Sequence, residues 1–269
     1  MKIFQEICQK NIKIAAWMEP RLSRLPGLNP LNPVDWLFSD DVFAKQMAYR
    51  DYLISSKRDV VFRSLAGSEA ACEELLELMV KHLVLYDYQK TSNGIIRPDG
   101  VEVILGKDHP LIEAGRLTQH DLCIMEEDGP EHKLSAACLC FPSSWSLDEK
   151  IGRQLIKIHE PVPSYDAQIA KRVQRLFDAI RINNPMFRVN SLIYSDPNLH
   201  QPRTMSARRQ VSNASKLWLR SEFQTLIRMP ISKAVIFCIH NTIVPMESLN
   251  KVQREQLNVD ELMSAYGVA

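Results

Sequence analysis

The chain has 269 residues, of which 45% are hydrophobic and 24% charged, as in a globular protein with a sizeable core. Its formal net charge of +1 and the absence of a long basic run argue against nucleic-acid binding. No apolar run approaches the roughly 20 residues of a membrane-spanning helix, and the charged N-terminus lacks the apolar region of a signal peptide. The six cysteines are too few for a disulfide scaffold, so we expect a protein of the reducing cytoplasm. The lack of a membrane-spanning run makes a membrane partner unexpected.

The N-terminal third predicts a strap followed by helices. Four prolines before residue 38 interrupt every regular pattern, so residues 1–38 are expected to form an irregular strap over a core. Apolar positions then recur at helical spacing. They predict one helix over 41–63 and a second over 68–86.

Strand-like segments separated by turn signals begin at about residue 100. They are joined by one more amphipathic helix, and a polar link over 197–213 is expected to be the most mobile. The predicted elements are a hairpin of 122–127 and 133–141, a helix over 166–182, strands over 186–194, 217–226 and 234–244, and a terminal helix over 247–266.

This order of elements favours one α+β domain over residues 1–269, because core-type patterning never stops for a full linker. Within it we expect a strap and helical lobe over 1–90 and a sheet-containing core over 91–269. The sheet is predicted to be antiparallel, with helices at its sides.

The common motifs for binding nucleotides through a glycine-rich loop, for zinc proteases and for serine hydrolases are all absent. Cys138 and Cys140 lie in an apolar strand with no second cysteine pair or nearby histidine to complete a zinc site. We therefore predict that both are reduced thiols in the core.

His159 has unusual surroundings, because Pro161 and Pro163 follow it closely and deny the chain a helical continuation. We expect this histidine on a stiff loop between ordered elements. Such a loop suits an axial metal ligand whose second ring nitrogen donates a hydrogen bond, with Glu160 as one possible acceptor. A structural, hydrogen-bonded histidine is the alternative, and the spacing alone favours it.

A polar row follows in the predicted strand over 217–226. Period two places Arg220, Glu222 and Gln224 on one face, where they either face solvent with a cross-strand salt bridge or line a pocket. In a pocket, the Glu222 carboxylate could hold a cationic amine or accept its proton.

Several blocks of this sequence resemble one known family, the haem-dependent oxidative N-demethylases, specifically the haem-carrying alpha subunit of dimethylamine monooxygenase. The most specific blocks are F-P-S-x-W from Phe141 and I-H-x-P-V-P from Ile158. The others are G-L-N-P at 27–30, D-W-L at 35–37, Q-H-D-L at 119–122, R-V-N at 188–190, E-F-Q-T-L at 222–226 and V-I-F-C-I at 235–239.

The resemblance implies a PAS-like antiparallel sheet with flanking helices and an N-terminal helical lobe. It also implies haem b, whose iron activates dioxygen with electrons from a separate flavin and iron–sulfur reductase. A small secondary amine such as dimethylamine would lose a methyl group as formaldehyde. A PAS-like sensor of haem or a small ligand, without turnover, is the alternative, and a scaffold subunit that has lost haem is a third possibility.

On this resemblance, His159 is the proximal iron ligand, Glu222 is the catalytic base, and Gln224 and Asn190 join Glu222 in binding the substrate. The family usually has Trp where this chain has Ser191, and Arg where it has His240. Basic residues would pair with the haem propionates. The candidates are Lys150, Arg153, Lys157, Arg188, Arg220 and Arg228.

Overall fold

Helices pack on both faces of one large sheet in the computed structural model of the chain, which describes residues 6–23, 27–159, 167–204, 206–207, 216–259 and 262. This architecture confirms the α+β class. In these residues the helices are α1 (Pro20–Ser23), α2 (Phe43–Ser56), α3 (Arg58–Val61), α4 (Glu69–Leu83), α5 (Pro110–Leu117), α6 (Leu147–Lys150), α7 (Leu155–His159), α8 (Ala167–Ala179) and α9 (Lys251–Glu255). The strands are β1 (Asn29–Pro30), β2 (Phe62–Ser64), β3 (Gln89–Lys90), β4 (Gly94–Ile96), β5 (Glu102–Ile104), β6 (Asp121–Asp128), β7 (Glu131–Cys138), β8 (Met186–Tyr194), β9 (Trp218–Arg228) and β10 (Val235–Pro245).

The large sheet is antiparallel at each strand pair and has the order β1-β8-β9-β10-β6-β7-β2. Its five central strands comprise the hairpin of β6 and β7 and the meander of β8, β9 and β10. The helices α6, α7 and α8 lie between the hairpin and the meander in the chain. A separate sheet of β3, β4 and β5 lies in the N-terminal half.

Side chains alternate between two faces of the sheet, and each face has its own apolar cluster. The front face, with Cys123, Leu226 and Val235, packs against α6, α7 and α8. The back face, with Leu122, Ile124, Ile236 and Cys238, packs against α2, α4, α5 and the buried part of the N-terminal strap. The helix that carries His159 and its two neighbouring helices therefore pack on the front face.

Most of the predicted elements are present, and two differ in length. The helix predicted over 41–63 stops at Ser56, because Lys57 has φ −134° and ψ 35°, outside the helical range, and α3 and β2 follow. The terminal helix predicted over 247–266 is interrupted: the described residues there form a short 3₁₀ turn, α9 and further helical positions at 259 and 262. The rest of that prediction lies largely outside the described residues.

One buried helix, α5, was not predicted. Pro110 occupies its first turn, and the backbone N–H of Leu111 donates to Nδ1 of His109, 3.2 Å away. The buried Glu113 carboxylate accepts hydrogen bonds from the backbone N–H groups of residues 106–108. A proline after a polar capping residue was the available signal.

The link over 197–213 is not a loose loop where it is described. Leu199 is fully buried, and Nδ1 of His200 donates to the carbonyl of Cys140, 2.8 Å away. Residues 205 and 208–213 lie outside the described part. None of the six cysteines forms a disulfide bond, and Cys138 and Cys140 are fully buried, as predicted. The strap and lobe over 1–90 and the core over 91–269 stay predictions as separate units.

A buried ion pair joins α2 to the first central strand. Nη1 of Arg50 donates to Oδ1 of Asp121 at 2.7 Å, and both side chains are fully buried. Asp121 also accepts from the backbone N–H groups of Cys140 and Phe141. The pair thereby fixes the chain where it leaves β7 and enters the F-P-S-x-W block.

We expect Arg50→Met to lower the free energy of unfolding by about 3–5 kcal/mol, because it leaves the Asp121 carboxylate buried without its cation. Urea unfolding at neutral pH measures this loss. Arg58→Met is the matched control, since the Arg58–Asp108 pair is substantially exposed and a loss within about 1 kcal/mol is expected. Equal losses in the two variants would contradict the assigned role of the buried pair.

Candidate functional site

Four predicted site residues lie together on the front face and are called the front-face row: Arg188, Asn190, Glu222 and Gln224. In the antiparallel register Glu222 lies opposite Asn190 of β8, and Gln224 lies opposite Arg188. Glu222 is 5% exposed and Gln224 8%. The alternation predicted for this strand is therefore correct, and the polar row is buried rather than solvated.

The Glu222 carboxylate is held through one oxygen. Nε2 of Gln224 donates to Oε2 at 2.8 Å, and Nδ2 of Asn190 donates to the same atom at 3.3 Å. Within the described residues, no hydrogen bond reaches Oε1. Arg220 is not the partner of this carboxylate.

Lys150 brings a cation to this row from the end of α6. Its Nζ lies 4.8 Å from the ring centre of Trp145. Burial lowers the pKa of Lys150 to about 8, while the nearby Cys123 and Glu222 act in the opposite direction. No hydrogen bond or ion pair joins Nζ to any described residue, so the ammonium has unused donors.

Arg188 is a second cation that forms no ion pair with a described residue. Its Nε is buried and makes no hydrogen bond within the described residues, and no ion pair there involves its guanidinium. Leaving buried donors unpaired costs free energy, so such a group indicates an anion or a solvent molecule at this place.

His159 is the last residue of α7 and does not lie on a loop, which corrects the sequence-based expectation. Its Nδ1 donates to the carbonyl of Leu155, one helical turn earlier, at 2.9 Å. Burial, together with the smaller effects of the Lys150 and Arg188 charges, lowers the pKa of His159 to about 4, while the hydrogen bond to Leu155 acts in the opposite direction. The ring is therefore neutral at pH 7, and Nε2 carries the lone pair that a metal needs. The prolines that suggested a loop lie outside the described residues.

An apolar cluster lies on the same face of the sheet as these polar groups. The cluster on the front face includes the ring of Trp145 and fully or partly buried residues from the strands and helices. Its partly buried members include Leu28, Trp145, Ile158, Met186 and Phe237. Together they form a low-polarity environment, in which electrostatic interactions are stronger than in water.

Two of the candidate arginines serve the fold. Arg220 is fully buried and donates to Oδ1 of Asn241 and to the carbonyls of Leu199 and Phe141. Arg228 donates to the carbonyls of Phe177 and Ile180 at the end of α8, and to that of Lys233. With their donors used in this way, neither guanidinium is offered to a ligand.

Arg153 and Lys157, the remaining candidates, have exposed side chains. Trp145 belongs to the F-P-S-x-W block, but its contact with Lys150 was not predicted. The available signal was its position, five residues before Lys150 and just before α6.

The two departures from the family pattern lie on the back face. Ser191 follows Asn190 in β8, so its side chain points to the opposite side of the sheet, where its Oγ is buried. His240 packs on the ring of Phe38 at 4.3 Å, and its Nε2 is 3.3 Å from Oδ2 of Asp40. Neither substitution therefore alters a side chain of the front-face row.

The donor set fits haem better than a bare metal ion. Among the described residues, no group of three or more His, Cys, Asp or Glu side chains is arranged to hold a metal. A haem needs one axial imidazole, cations for two propionates and apolar walls. His159, the unpaired Lys150 and Arg188, and the front-face cluster match that list.

A family model described as "Haem-dependent oxidative N-demethylase, alpha subunit-like" matches residues 27–265. The chain belongs to this family. The match spans both specific sequence blocks and all of the residues of the front-face site. Across the described ranges, no helix combines the length and apolarity needed to span a bilayer.

The neutral state of His159 predicts a pH dependence of stability. A histidine in the unfolded chain titrates near 6.5, so between about pH 6.5 and 4 the unfolded chain binds more protons than the folded one. Stability conferred by neutral His159 is present above pH 6.5 and is lost as the pH falls toward 4. We expect His159→Gln to reduce that loss by about 2–3 kcal/mol.

Urea unfolding of haem-free protein at several pH values measures this difference. Lys157→Gln, a change at an exposed neighbour, should keep the wild-type slope. A His159→Gln protein with the wild-type slope would contradict the lowered pKa.

Proposed function

We propose that this chain is the haem b-carrying subunit of an enzyme that removes a methyl group from a small secondary amine such as dimethylamine, using dioxygen. The observation that carries the proposal is the meeting of His159, Lys150, Arg188 and Glu222 on one face of the sheet. Family membership supports the class of chemistry. The order of the five central strands, with helices between hairpin and meander, supports a PAS-like arrangement.

His159 would hold the iron through Nε2, because its Nδ1–H is committed to the Leu155 carbonyl. That hydrogen bond fixes the ring's tautomer and orientation, as expected of a metal-bound histidine. Lys150 and Arg188 would bind the propionates. When bound, haem supplies dioxygen activation, with electrons from a separate flavin and iron–sulfur reductase.

Glu222 would act on the amine. Dimethylamine is protonated at neutral pH, and a buried carboxylate attracts the resulting ammonium. Oε1, which accepts no hydrogen bond from a described residue, is the atom to take the proton and leave a neutral amine. The apolar walls limit the access of water to that proton transfer.

The proposed function also implies a cellular compartment and a pair of products. A chain with these properties would work in the cytoplasm, where a reductase partner can deliver electrons. Its products would be formaldehyde and the demethylated amine. A PAS-like sensor would bind haem through the same His159 but release no formaldehyde, so turnover separates the two functions.

We expect purified wild-type protein to contain haem in stoichiometric amount, visible as a Soret band. His159→Ala should lose haem or shift that band markedly, because no axial imidazole remains. Lys150→Met should weaken haem retention during transfer to apomyoglobin, whereas Arg153→Met, at an exposed position, should not. A normal spectrum in His159→Ala would remove this ligand assignment and direct attention to His120 and His240.

Glu222→Gln should lower reductant-dependent formaldehyde release from dimethylamine by about 10²–10⁴-fold per haem, the range for losing a positioned base. Haem content and melting temperature should stay near wild type. An unchanged rate per haem together with a lower melting temperature would show that Glu222 serves the fold. No formaldehyde from the haem-loaded wild type, with any small secondary amine, would favour the sensor.

A further inference from the structure

The two amide side chains of the front-face row both bind Glu222. Gln224 donates from the same strand, two residues away, and Asn190 donates from directly across the sheet. Both bonds end on Oε2, while Oε1 receives none from the described residues. An amide whose only role was to give the buried carboxylate a hydrogen bond would stabilise it equally well by donating to either oxygen.

Two hydrogen bonds to the same oxygen restrict the orientation of the Glu222 carboxylate. A glutamate side chain has three rotatable bonds, so a buried carboxylate with a single anchor can still turn its two oxygens. Two donors arriving from different strands at one oxygen fix the carboxylate plane. Both donors belong to well-paired central strands, which hold such a geometry more tightly than loops do.

We propose that Gln224 and Asn190 are positioning residues, which clamp Oε2 of Glu222 so that Oε1 faces the amine; this inference rests on the proposed function. It replaces the sequence-based expectation that both amides contact the substrate. The clamp makes the proton acceptor a single, preoriented atom, so the transfer needs no rearrangement of the carboxylate.

A double-mutant cycle tests the clamp. Gln224→Met keeps the size of the side chain and removes its donor, and it should lower kcat about 10- to 100-fold, the worth of a hydrogen bond to a charged group. The Kd for dimethylammonium, measured by calorimetry on the haem-loaded protein, should stay near wild type because the carboxylate remains. In the Glu222→Gln background the same change should have no further effect on kcat.

Infrared difference spectra provide a readout independent of turnover. Wild type minus Glu222→Gln isolates the carboxylate stretching bands of Glu222, and their splitting reports unequal hydrogen bonding of the two oxygens. Gln224→Met and Asn190→Leu should each change that splitting. Thr225→Val is the matched control, since Thr225 follows on the same strand but binds the Trp36 carbonyl on the back face.

Three results would overturn the clamp. A rise in Kd caused by Gln224→Met in both backgrounds would mean that Gln224 touches the amine itself. An unchanged kcat with a lower melting temperature would mean that the amide is purely structural. Unchanged infrared bands would mean that neither amide binds the carboxylate. If the wild type turns over no amine, the proposed function fails, and the infrared result still decides whether the clamp exists.

Discussion

The buried pair of Arg50 and Asp121 is the interaction on which the site's geometry depends. Asp121 stands at the start of β6 and holds the backbone N–H groups of Cys140 and Phe141, so the exit of β7 cannot shift without breaking an ion pair in the core. On the other side, the carbonyl of Phe141 accepts from Arg220 and from Asn241. The segment that leads to Trp145 and Lys150 therefore begins from a point fixed by two arginines, although neither arginine donates to Glu222.

The back face of the sheet serves mainly the packing of the fold, and the front face carries the candidate site. The back face carries the larger apolar cluster, and a polar network of Gln9, Asp40, Gln119 and Gln46 ties the N-terminal strap to it. The front face carries the smaller cluster and the groups with unused hydrogen-bonding capacity. Because alternate residues of a strand point to opposite faces, β8 can exchange the family's Trp for Ser191 at the back while Arg188 and Asn190 stay at the front. Both departures from the family pattern thus lie on the back face and leave the site row intact.

The sequence predicts those features of the fold and site that depend on neighbouring residues, and misses those that depend on contacts between distant ones. Period-two alternation is local, and it placed Glu222 and Gln224 on one buried face correctly. The roles of Arg220 and Arg228 could not be predicted from such a signal, because the Phe141 carbonyl that binds Arg220 and the Phe177 carbonyl that binds Arg228 lie far away in the sequence. His159 was expected on a loop because two prolines follow it, yet a proline constrains mainly its own position and the residue before it. The short α7 therefore ends just before those prolines, and its last turn supplies the Leu155 carbonyl that orients the imidazole.

Lys150 and Arg188, the half-buried cations of the front face, differ in their surroundings from the buried arginines of the chain. Arg50 is paired with Asp121, and Arg97 with Asp51 and Asp99, while Arg220 donates to an amide oxygen and two carbonyls. Each of these three guanidiniums thus has a carboxylate or carbonyl acceptor among the described residues, although Nη2 of Arg50 makes no hydrogen bond. Arg188 and Lys150 receive none from the described residues, although Glu222 lies on the same face and is instead bound by two amides. A chain that neutralised its own charges would pair Glu222 with one of these cations, because an unpaired buried charge is costly. Among the described residues no ion pair joins the carboxylate to either cation, although Glu222 is near enough to Lys150 to raise its pKa. Under the proposed function, the cations would bind a dianionic haem and the carboxylate an ammonium substrate.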